Sequence, residues 1–448
     1  MEDSTATRAQ WRTQGGFILA ALGAAIGLGN IWRFSYVVGE NGGGVFLLIY
    51  VVTIILVGLP LLLAELAAGR ETQREAASAF RHLGRSTLWR QAGSLGVVVS
   101  FVILTYYSVI AGWALKHFAA FATGRYPLHQ GAASDYFQAF TRAPIEPVLW
   151  QACIVAVTIG IVLGGIEHGI ERANKILMPL LALIVVGLAI HSLMLRDAGR
   201  GLEFLFAPDW RALAEPRVYL AALGQAFFSL GLAMGVLVTY GSYLPRHYRL
   251  PAIAAVVAFG DTLFAIIAAL IIFPAVFSFG MQPDQGPGLA FVTLPEIFVS
   301  MAGGRLVGAA FFGLLVLAAI TSSVALLEIP VAYAIEQWEL ARARAALLIG
   351  SMAFVLGVPS SLGFGLLSGI RLAGFPILDT IDFLASNILL PLSGLGIALF
   401  VGWHWREADA VKAVGLQRKW TGRLWRLSVR YVAPAVIAVI FLRSLLVF

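Results

Sequence analysis

Eleven apolar stretches, each long enough to cross a lipid bilayer as a helix, set the strongest limit on how this chain can fold. A helix needs about 20 predominantly apolar residues to span the hydrocarbon core. Lipid offers no partner for backbone N–H and C=O groups, and these stretches lack the alternation of barrel strands. We therefore predict an all-α polytopic membrane protein. Its predicted spans are residues 16–38, 43–69, 93–122, 147–165, 173–195, 217–241, 250–278, 304–336, 343–359, 375–403 and 427–447.

The composition agrees with a bilayer as the solvent of this chain. Charged residues make up only 12 % of the 448 residues and hydrophobic residues 59 %, whereas a soluble domain carries about 25 % charged residues. This excludes a disordered chain, a nucleic-acid-binding domain and a disulfide scaffold. The net charge of +7 is explained by basic residues in cytoplasmic loops. The single cysteine, Cys153, lies in an apolar run and is predicted to be a small core residue.

Basic residues between the spans predict the orientation of the chain. They cluster after spans 2, 6, 8 and 10, which places them on one side of the membrane, and such clusters mark the cytoplasmic side. The N-terminus is then on the cytoplasmic side and the C-terminus on the outer side of the cell membrane, which is the inner membrane where a cell has two. We see no signal peptide and expect the first apolar stretch to remain as span 1. The basic residues are Arg70, Arg74, Arg81, Arg85, Arg90, Arg246, Arg249, Arg342, Arg344, Arg406, Lys412, Arg418, Lys419, Arg423 and Arg426.

Span 1 carries features that weaken a helix. Gly23, Gly27 and Gly29 fall within seven residues and are followed by Asn30 and Arg33. Each glycine costs a helix about 1 kcal/mol relative to alanine. Small residues at this spacing also allow close packing of membrane helices, which is the alternative reading. Asn and Arg inside one span are costly unless they face protein or water, so we predict a break with free carbonyl groups.

Span 6 repeats this pattern with Ser229, Gly231 and Gly235 near its middle. Spans 1 and 6 occupy equivalent places if residues 16–195 and 217–403 are two five-helix repeats, and the odd number of spans per repeat makes the second inverted. Paired interrupted spans in inverted repeats are typical of a secondary transporter with a site near the midplane. We expect one transporter domain over residues 1–448, with 427–447 as an extra C-terminal helix.

Three segments form distinctive motifs: GAAIGLGNIWRF at 23–34, ENGGG at 40–44 and AAITSSVALLE at 318–328. They resemble the neurotransmitter:sodium symporters, and in particular the bacterial leucine and hydrophobic amino-acid transporters. The resemblance covers almost the whole chain. It implies a leucine-transporter-like fold with two inverted repeats and broken helices 1 and 6. It also implies sodium-coupled symport of an amino acid by alternating access, with two Na⁺ sites, in a monomer or weak homodimer.

The resemblance also implies which residues bind sodium, a hard cation that prefers oxygen ligands. Asp261 stands where the family usually has Asn, and a fixed carboxylate there predicts transport without chloride. There are two alternatives. Asp261 could pair elsewhere, and the hydroxyl groups of Thr321 and Ser322 could bond back to the preceding helical turn. The matching positions are Ala25, Asn30, Ser229 and Asp261 for sodium 1, and Gly23, Ile26, Ala318, Thr321 and Ser322 for sodium 2.

The matching substrate site suits an amino acid. The N–H groups of Leu28 and Gly29 are expected to bind a carboxylate at the start of a half-helix, and Tyr107 matches the family tyrosine that donates to it, although membrane tyrosines also act as interfacial anchors. Gly27 stands where monoamine transporters have aspartate. The apolar pocket favours a large aliphatic or aromatic side chain. The expected site is Ala24, Ala25, Leu28, Gly29, Ile103, Tyr107, Phe228, Ser229, Gly231, Met234, Ser322 and Leu326.

Two sets of residues match the family's gates. Arg33 and Asp382 match the outer charged pair, although Arg33 alone could reach the interface as a single long side chain. Glu65 and Gln225 are further buried polar groups, and Glu328 stands where a glutamine is usual. The inner gate is expected to comprise Arg8, Trp11, Ser242, Tyr243 and Glu336.

Other function classes remain as alternatives. A substrate-gated sensor or channel on the same scaffold, or a carrier of another small zwitterion, would use the same broken spans. We find no HExxH, no GxSxG and no Cys/His metal spacing in the sequence, so we do not expect an enzyme.

Overall fold

The computed structural model describes residues 9–129, 131–282, 286–372, 374–416 and 418–446. Nine helices in these residues are long and apolar enough to cross a membrane, and each matches one predicted span. The all-α prediction is confirmed. The nine are Gly44–Thr72 (span 2), Thr87–Thr123 (span 3), Glu146–Leu163 (span 4), Gly165–Leu193 (span 5), Leu250–Ser278 (span 7), Gly304–Gln337 (span 8), Arg342–Leu362 (span 9), Ile377–His404 (span 10) and Trp420–Arg443 (span 11).

Spans 1 and 6 are interrupted, as the glycine clusters predict. Span 1 consists of Gln14–Ala25 and Gly29–Glu40, which are bent by 53° relative to each other. Span 6 consists of Pro216–Ser229 and Val236–Gly241, separated by six non-helical residues. With these two pairs, all eleven predicted spans have a counterpart among the described residues.

Short elements connect the spans. Most of them are helices, and one is a two-stranded antiparallel ribbon beside span 10. Five spans also contain π-helical turns, in which the backbone hydrogen bonds join residues five apart instead of four. The connecting elements are Ala76–Gly84, Ala132–Arg142, Ala198–Phe206, Trp210–Ala214, Gly286–Leu289, Thr293–Ser300, Glu407–Val414, and strands Arg371–Leu372 and Phe375–Pro376. The π-helical turns are Gly29–Arg33, Ile54–Gly58, Gly165–Glu171, Leu384–Leu389, Phe400–His404 and Ser428–Val432.

Spans 3 and 8 form the centre of the bundle. In each, 78 % of the most apolar stretch is buried inside the protein, against 33 % in spans 4, 5 and 11. The peripheral spans therefore present apolar faces outward, where lipid takes the place of protein. Cys153 lies on such a face of span 4 and is exposed, so the prediction of a core cysteine is wrong. The apolar run around it reflects contact with lipid rather than with the core.

Candidate functional site

The break in span 1 is a short non-helical connection. The first half-helix ends at Ala25, and Ile26 turns to extended backbone with φ −73° and ψ 102°. The second half begins at Gly29 with a π-helical turn. The side-chain oxygen of Asn30 accepts a hydrogen bond from the Gly27 N–H at 3.1 Å, which closes this connection. Because the first half-helix ends at Ala25, the carbonyl groups of its last turn have no N–H groups one turn further along to bond to.

The break in span 6 is held by polar side chains from outside the span. Gly231, Ala233 and Gly235 have φ of 62°, 64° and 74°. Alanine rarely adopts this left-handed conformation, which costs on the order of 1–3 kcal/mol. The Ala233 N–H donates to the Glu65 carboxylate at 2.8 Å, and the Ser393 hydroxyl donates to the Ala233 carbonyl at 2.6 Å. These two bonds fix the strained residue.

A buried polar cluster joins four spans at the position expected for sodium 1. The Asn30 amide donates to Asp261 Oδ1 at 2.7 Å and to Ser229 Oγ at 2.9 Å. The Ser229 hydroxyl donates to Asp261 Oδ2 at 2.7 Å, and the Tyr50 hydroxyl donates to Ser229 at 3.1 Å. Asp261 thus faces the other predicted ligands, and Tyr50 is a partner that the sequence did not indicate. Ala25, whose carbonyl completes the predicted set, lies at the end of the adjacent half-helix.

Backbone oxygens converge at the position expected for sodium 2. The Ser322 hydroxyl lies 3.3 Å from the Gly23 carbonyl oxygen, 3.4 Å from that of Ala24 and 3.3 Å from that of Ile26. A hydroxyl carries one proton, so these three acceptors compete for one donor. Such a group of oxygens is suited to a cation. The Thr321 hydroxyl instead bonds back to the Ala318 carbonyl at 3.0 Å, as the alternative reading expects.

A cavity of about 30 Å³ lies between the two breaks. All predicted substrate residues line this cavity except Leu28 and Ser229. For these two residues the predicted contacts with the substrate include backbone groups. The Leu28 N–H is used in the structure, since it donates to the Tyr107 hydroxyl at 3.1 Å. Three lining residues were not predicted: Gly27, Val236 and Ala325. The predicted residues that line the cavity are Ala24, Ala25, Gly29, Ile103, Tyr107, Phe228, Gly231, Met234, Ser322 and Leu326.

A side chain at position 27 would require Ser322 and Tyr107 to move. A methyl group placed on the Gly27 Cα would lie 2.6 Å from Ser322 Oγ and 2.8 Å from the Tyr107 hydroxyl. An aspartate at this position would therefore displace two of the polar groups that line the cavity.

A second cavity of about 260 Å³, here called the outer cavity, shares Gly29, Tyr107 and Phe228 with the first. Arg33 and Asp382 both line it, together with Tyr107. Each of the two charged groups contacts a further residue. The Arg33 guanidinium lies 4.5 Å from the centroid of the Phe228 ring, and Asp382 accepts from the Ser386 hydroxyl at 3.0 Å. The predicted outer pair thus shares a cavity, with an aromatic lid beneath Arg33.

The opposite end of the site is closed by Trp11. Its backbone N–H donates to the Tyr243 carbonyl at 3.1 Å and its indole to the Tyr240 carbonyl at 3.0 Å. The Trp11 ring packs edge-on against Phe17 and Tyr240. The nearby Ser242 is buried and donates to the Thr239 carbonyl. Arg8 lies outside the described residues.

A buried ion pair reinforces this closed end. Arg342 donates two bonds to the Glu328 carboxylate, at 2.8 and 2.9 Å, and the Tyr243 hydroxyl donates to the same group at 2.9 Å. In the sequence, Arg342 indicates only the orientation of the chain in the membrane. Its pairing with Glu328 depends on how spans 8 and 9 pack. Glu328 is therefore part of the predicted inner network with a partner of its own.

Glu336 connects this end to the loop between spans 2 and 3. It accepts from the Glu75 N–H at 3.0 Å and lies 3.9 Å from the Arg74 guanidinium. Burial raises the pKa of Glu75, and the neighbouring Glu336 carboxylate raises it further. Two carboxylates thus meet beneath the inner gate.

Comparison with known proteins places the chain among sodium-coupled carriers. The sequence profile of the Sodium:neurotransmitter symporter family matches residues 8–138 and 144–448. An uncharacterised sodium-dependent transporter of Bacillus subtilis is 37 % identical over 437 residues, which cover 97 % of each chain. A similarly described protein of Haemophilus influenzae is 33 % identical over 99 % of this chain and 100 % of that one.

A solved structure is similar over nearly the whole fold. The crystal structure of MhsT in complex with L-phenylalanine superposes with a TM-score of 0.91. The two sequences are 50 % identical, and the match covers 98 % of this chain and 100 % of the other.

Proposed function

This chain belongs to the Sodium:neurotransmitter symporter family, and on that premise we propose that it couples the uptake of a hydrophobic L-amino acid to sodium. The substrate class is an amino acid with a large aliphatic or aromatic side chain. The observation that carries this proposal is the convergence of three span 1 carbonyl oxygens on Ser322, directly beside an apolar cavity.

Three further observations support the substrate class. The cavity lining is mostly apolar, with Ile103 of span 3, Leu326 of span 8 and Met234 in the break of span 6, and apolar pockets bind apolar side chains. Position 27 carries glycine instead of the aspartate expected for a substrate without a carboxylate, and an aspartate there would require Ser322 and Tyr107 to move. MhsT, which shares half of its sequence with this chain, is solved with L-phenylalanine bound.

Substrate entry needs a movement of Phe228. The cavity between the two breaks has a volume of about 30 Å³, whereas binding sites for small organic ligands have volumes of ~300 Å³ or more. The outer cavity of about 260 Å³ is also lined by Phe228. When Phe228 swings aside, the two spaces join, and the substrate carboxylate reaches the Tyr107 hydroxyl and the N–H groups of Leu28 and Gly29.

Two sodium ions then stabilise the broken segments. One is bound by Ala25, Asn30, Ser229 and Asp261, and the other by Gly23, Ile26, Ala318, Thr321 and Ser322. The substrate carboxylate beside the first ion links solute and ion binding. Closure of Arg33 over Asp382, followed by release of Trp11 from Tyr240 and Tyr243, delivers both inside. Two positive charges add about 2.3 kcal/mol each per 100 mV of membrane potential.

The remaining parts of the proposal concern arrangement in the membrane. The N-terminus is inside and the C-terminus outside, a proposal that the basic loops support. Residues 16–195 and 217–403 are the two inverted repeats, and span 11 follows them as an extra C-terminal helix. The carrier acts as a monomer or a weak homodimer and needs no chloride.

Uptake into proteoliposomes tests this function. A sodium gradient should drive accumulation of labelled L-phenylalanine, and competition by the twenty amino acids should be strongest for large apolar ones. Counterflow of labelled substrate separates a carrier from a sensor, because a sensor does not exchange. Absence of sodium-stimulated uptake for all twenty amino acids would reject the proposal.

A further inference from the structure

Asn174 in span 5 has a buried side-chain oxygen that no hydrogen bond uses. The side chain is 1 % exposed, and its amide nitrogen donates to the Ile170 carbonyl at 2.9 Å. Within the described residues, Asn174 Oδ1 has no hydrogen-bond donor. Buried polar atoms in folded proteins normally have partners, so an orphaned one points to a function.

The orientation of this amide is fixed by Ile170. If the group were turned over, its oxygen would face the Ile170 carbonyl oxygen, and two acceptors would oppose each other. The nitrogen therefore faces Ile170, and the oxygen faces span 1.

The orphaned oxygen lies against Gly23. A methyl group placed on the Gly23 Cα would be 2.1 Å from Asn174 Oδ1 and 3.2 Å from the Thr321 Cβ. Asn174, Gly23 and Thr321 therefore meet at one point, and two of these three belong to the proposed second sodium site. An amide oxygen is a ligand that hard cations accept readily.

Asn174 also lies toward the inner gate. One turn earlier in span 5, the Glu171 carboxylate accepts from the Arg12 N–H at 2.8 Å and from the Thr13 hydroxyl at 2.9 Å, at the start of span 1. The π-helical turn Gly165–Glu171 precedes it, and such turns often mark functional positions. The oxygen thus stands between the second sodium site and the end closed by Trp11.

We propose that Asn174 Oδ1 is an additional sodium ligand at the second site, on the side from which the ion leaves. The inference rests on the proposed function. As the inner gate opens, the oxygen on span 5 replaces a ligand from span 1 and receives the ion. Gly23 is a glycine because any side chain there would occupy the position of this oxygen.

Asn174→Leu tests this role, because leucine has a similar size and lacks the oxygen. Asn174→Asp keeps an oxygen and adds a charge. Ser192→Ala is the matched control in the same span, since the Ser192 hydroxyl bonds to the Ile271 carbonyl instead of facing span 1. The readout is the thermal stability of the purified protein against sodium concentration, without amino acid, alongside sodium-dependent binding of L-phenylalanine.

We expect Asn174→Leu to raise the half-saturating sodium concentration at least threefold, with a melting temperature without sodium equal to or above that of the wild type. Asn174→Asp should lower the half-saturating concentration at least threefold, and Ser192→Ala should leave it unchanged. A purely structural role would instead lower the sodium-free melting temperature of Asn174→Leu with unchanged sodium dependence, which overturns the inference. A wild type without sodium-dependent binding would overturn the proposed function itself, so the two failures are distinguishable.

Discussion

The side-chain amide of Asn30 in span 1 donates a hydrogen bond to the carboxylate of Asp261 in span 7, over 2.7 Å and away from all solvent. The same carboxylate accepts from Ser229 of broken span 6. One charged group therefore ties both interrupted spans to a continuous helix. Opposite charges about 4 Å apart attract by about 4 kcal/mol at an effective protein dielectric of about 20, which also applies to buried sites, so this carboxylate favours a cation at the same place.

Asp261→Asn should weaken sodium binding at least tenfold, because the neutral amide no longer balances the ion. Wild-type uptake should be unchanged when gluconate replaces chloride, since the fixed charge is part of the protein. Sodium titration of uptake in both anions measures the two effects. A wild type that stops transporting in gluconate would contradict the assignment.

Ser322→Ala should raise the half-saturating sodium concentration about tenfold, because three span 1 carbonyls lose the hydroxyl that they surround. Ser323→Ala is the matched control. Its hydroxyl is also buried in the same helix and has no hydrogen-bond partner among the described residues. Sodium-dependent phenylalanine binding measures both variants, and equal effects of the two changes would exclude a special role for Ser322.

Tyr107→Phe should lower the affinity for the amino acid about tenfold or more, as expected for a lost hydrogen bond to a carboxylate. Tyr126→Phe removes the same atom from another buried tyrosine and should have no effect on binding, because that hydroxyl lies in a loop away from the cavity. Equilibrium binding at saturating sodium makes the comparison. If both variants bind like the wild type, the carboxylate lies elsewhere.

Gly27→Ala should abolish amino-acid binding, since the added methyl group would press on Ser322 and Tyr107. Gly160→Ala in span 4 is the control, because a methyl group there has nothing within 4 Å. Binding and melting temperature are measured on both. Normal binding by the Gly27 variant would show that the cavity adapts more than its geometry allows.

Arg342→Met should open the inner end. It leaves the buried Glu328 carboxylate without its charged partner, with only the Tyr243 hydroxyl still donating to it, which costs about 3–5 kcal/mol in the closed form. Hydrogen exchange over residues 9–25 should rise, while Arg344→Met, an exposed neighbour, should leave it unchanged. Unchanged exchange in both variants would mean that the ion pair does not hold the gate.

The sequence was sufficient to predict the fold and most of the cavity lining, because both depend on local signals. Long apolar runs define the spans, and the glycine clusters define the two breaks. The quoted motifs then identify Asn30 and Ser322, and the family resemblance identifies Tyr107. The structure brings all three against the break in span 1.

Other features depend on contacts between distant segments, so no local pattern indicates them. Ala233 adopts a left-handed conformation only because Glu65 and Ser393 hold its backbone. Arg342 looks like an ordinary cytoplasmic charge until span 9 packs beside span 8. The role of Asn174 depends on the close approach of span 5 to Gly23, which no residue spacing reveals.

Equilibrium binding of labelled L-phenylalanine to the purified protein, in sodium and in potassium at equal ionic strength, tests the central claim most directly. Saturable binding in sodium, at least tenfold weaker in potassium, is the predicted result, and phenylalanine should tighten sodium binding by the factor with which sodium tightens phenylalanine binding. Equal binding in both salts would contradict the claim that the broken spans bind substrate and sodium together.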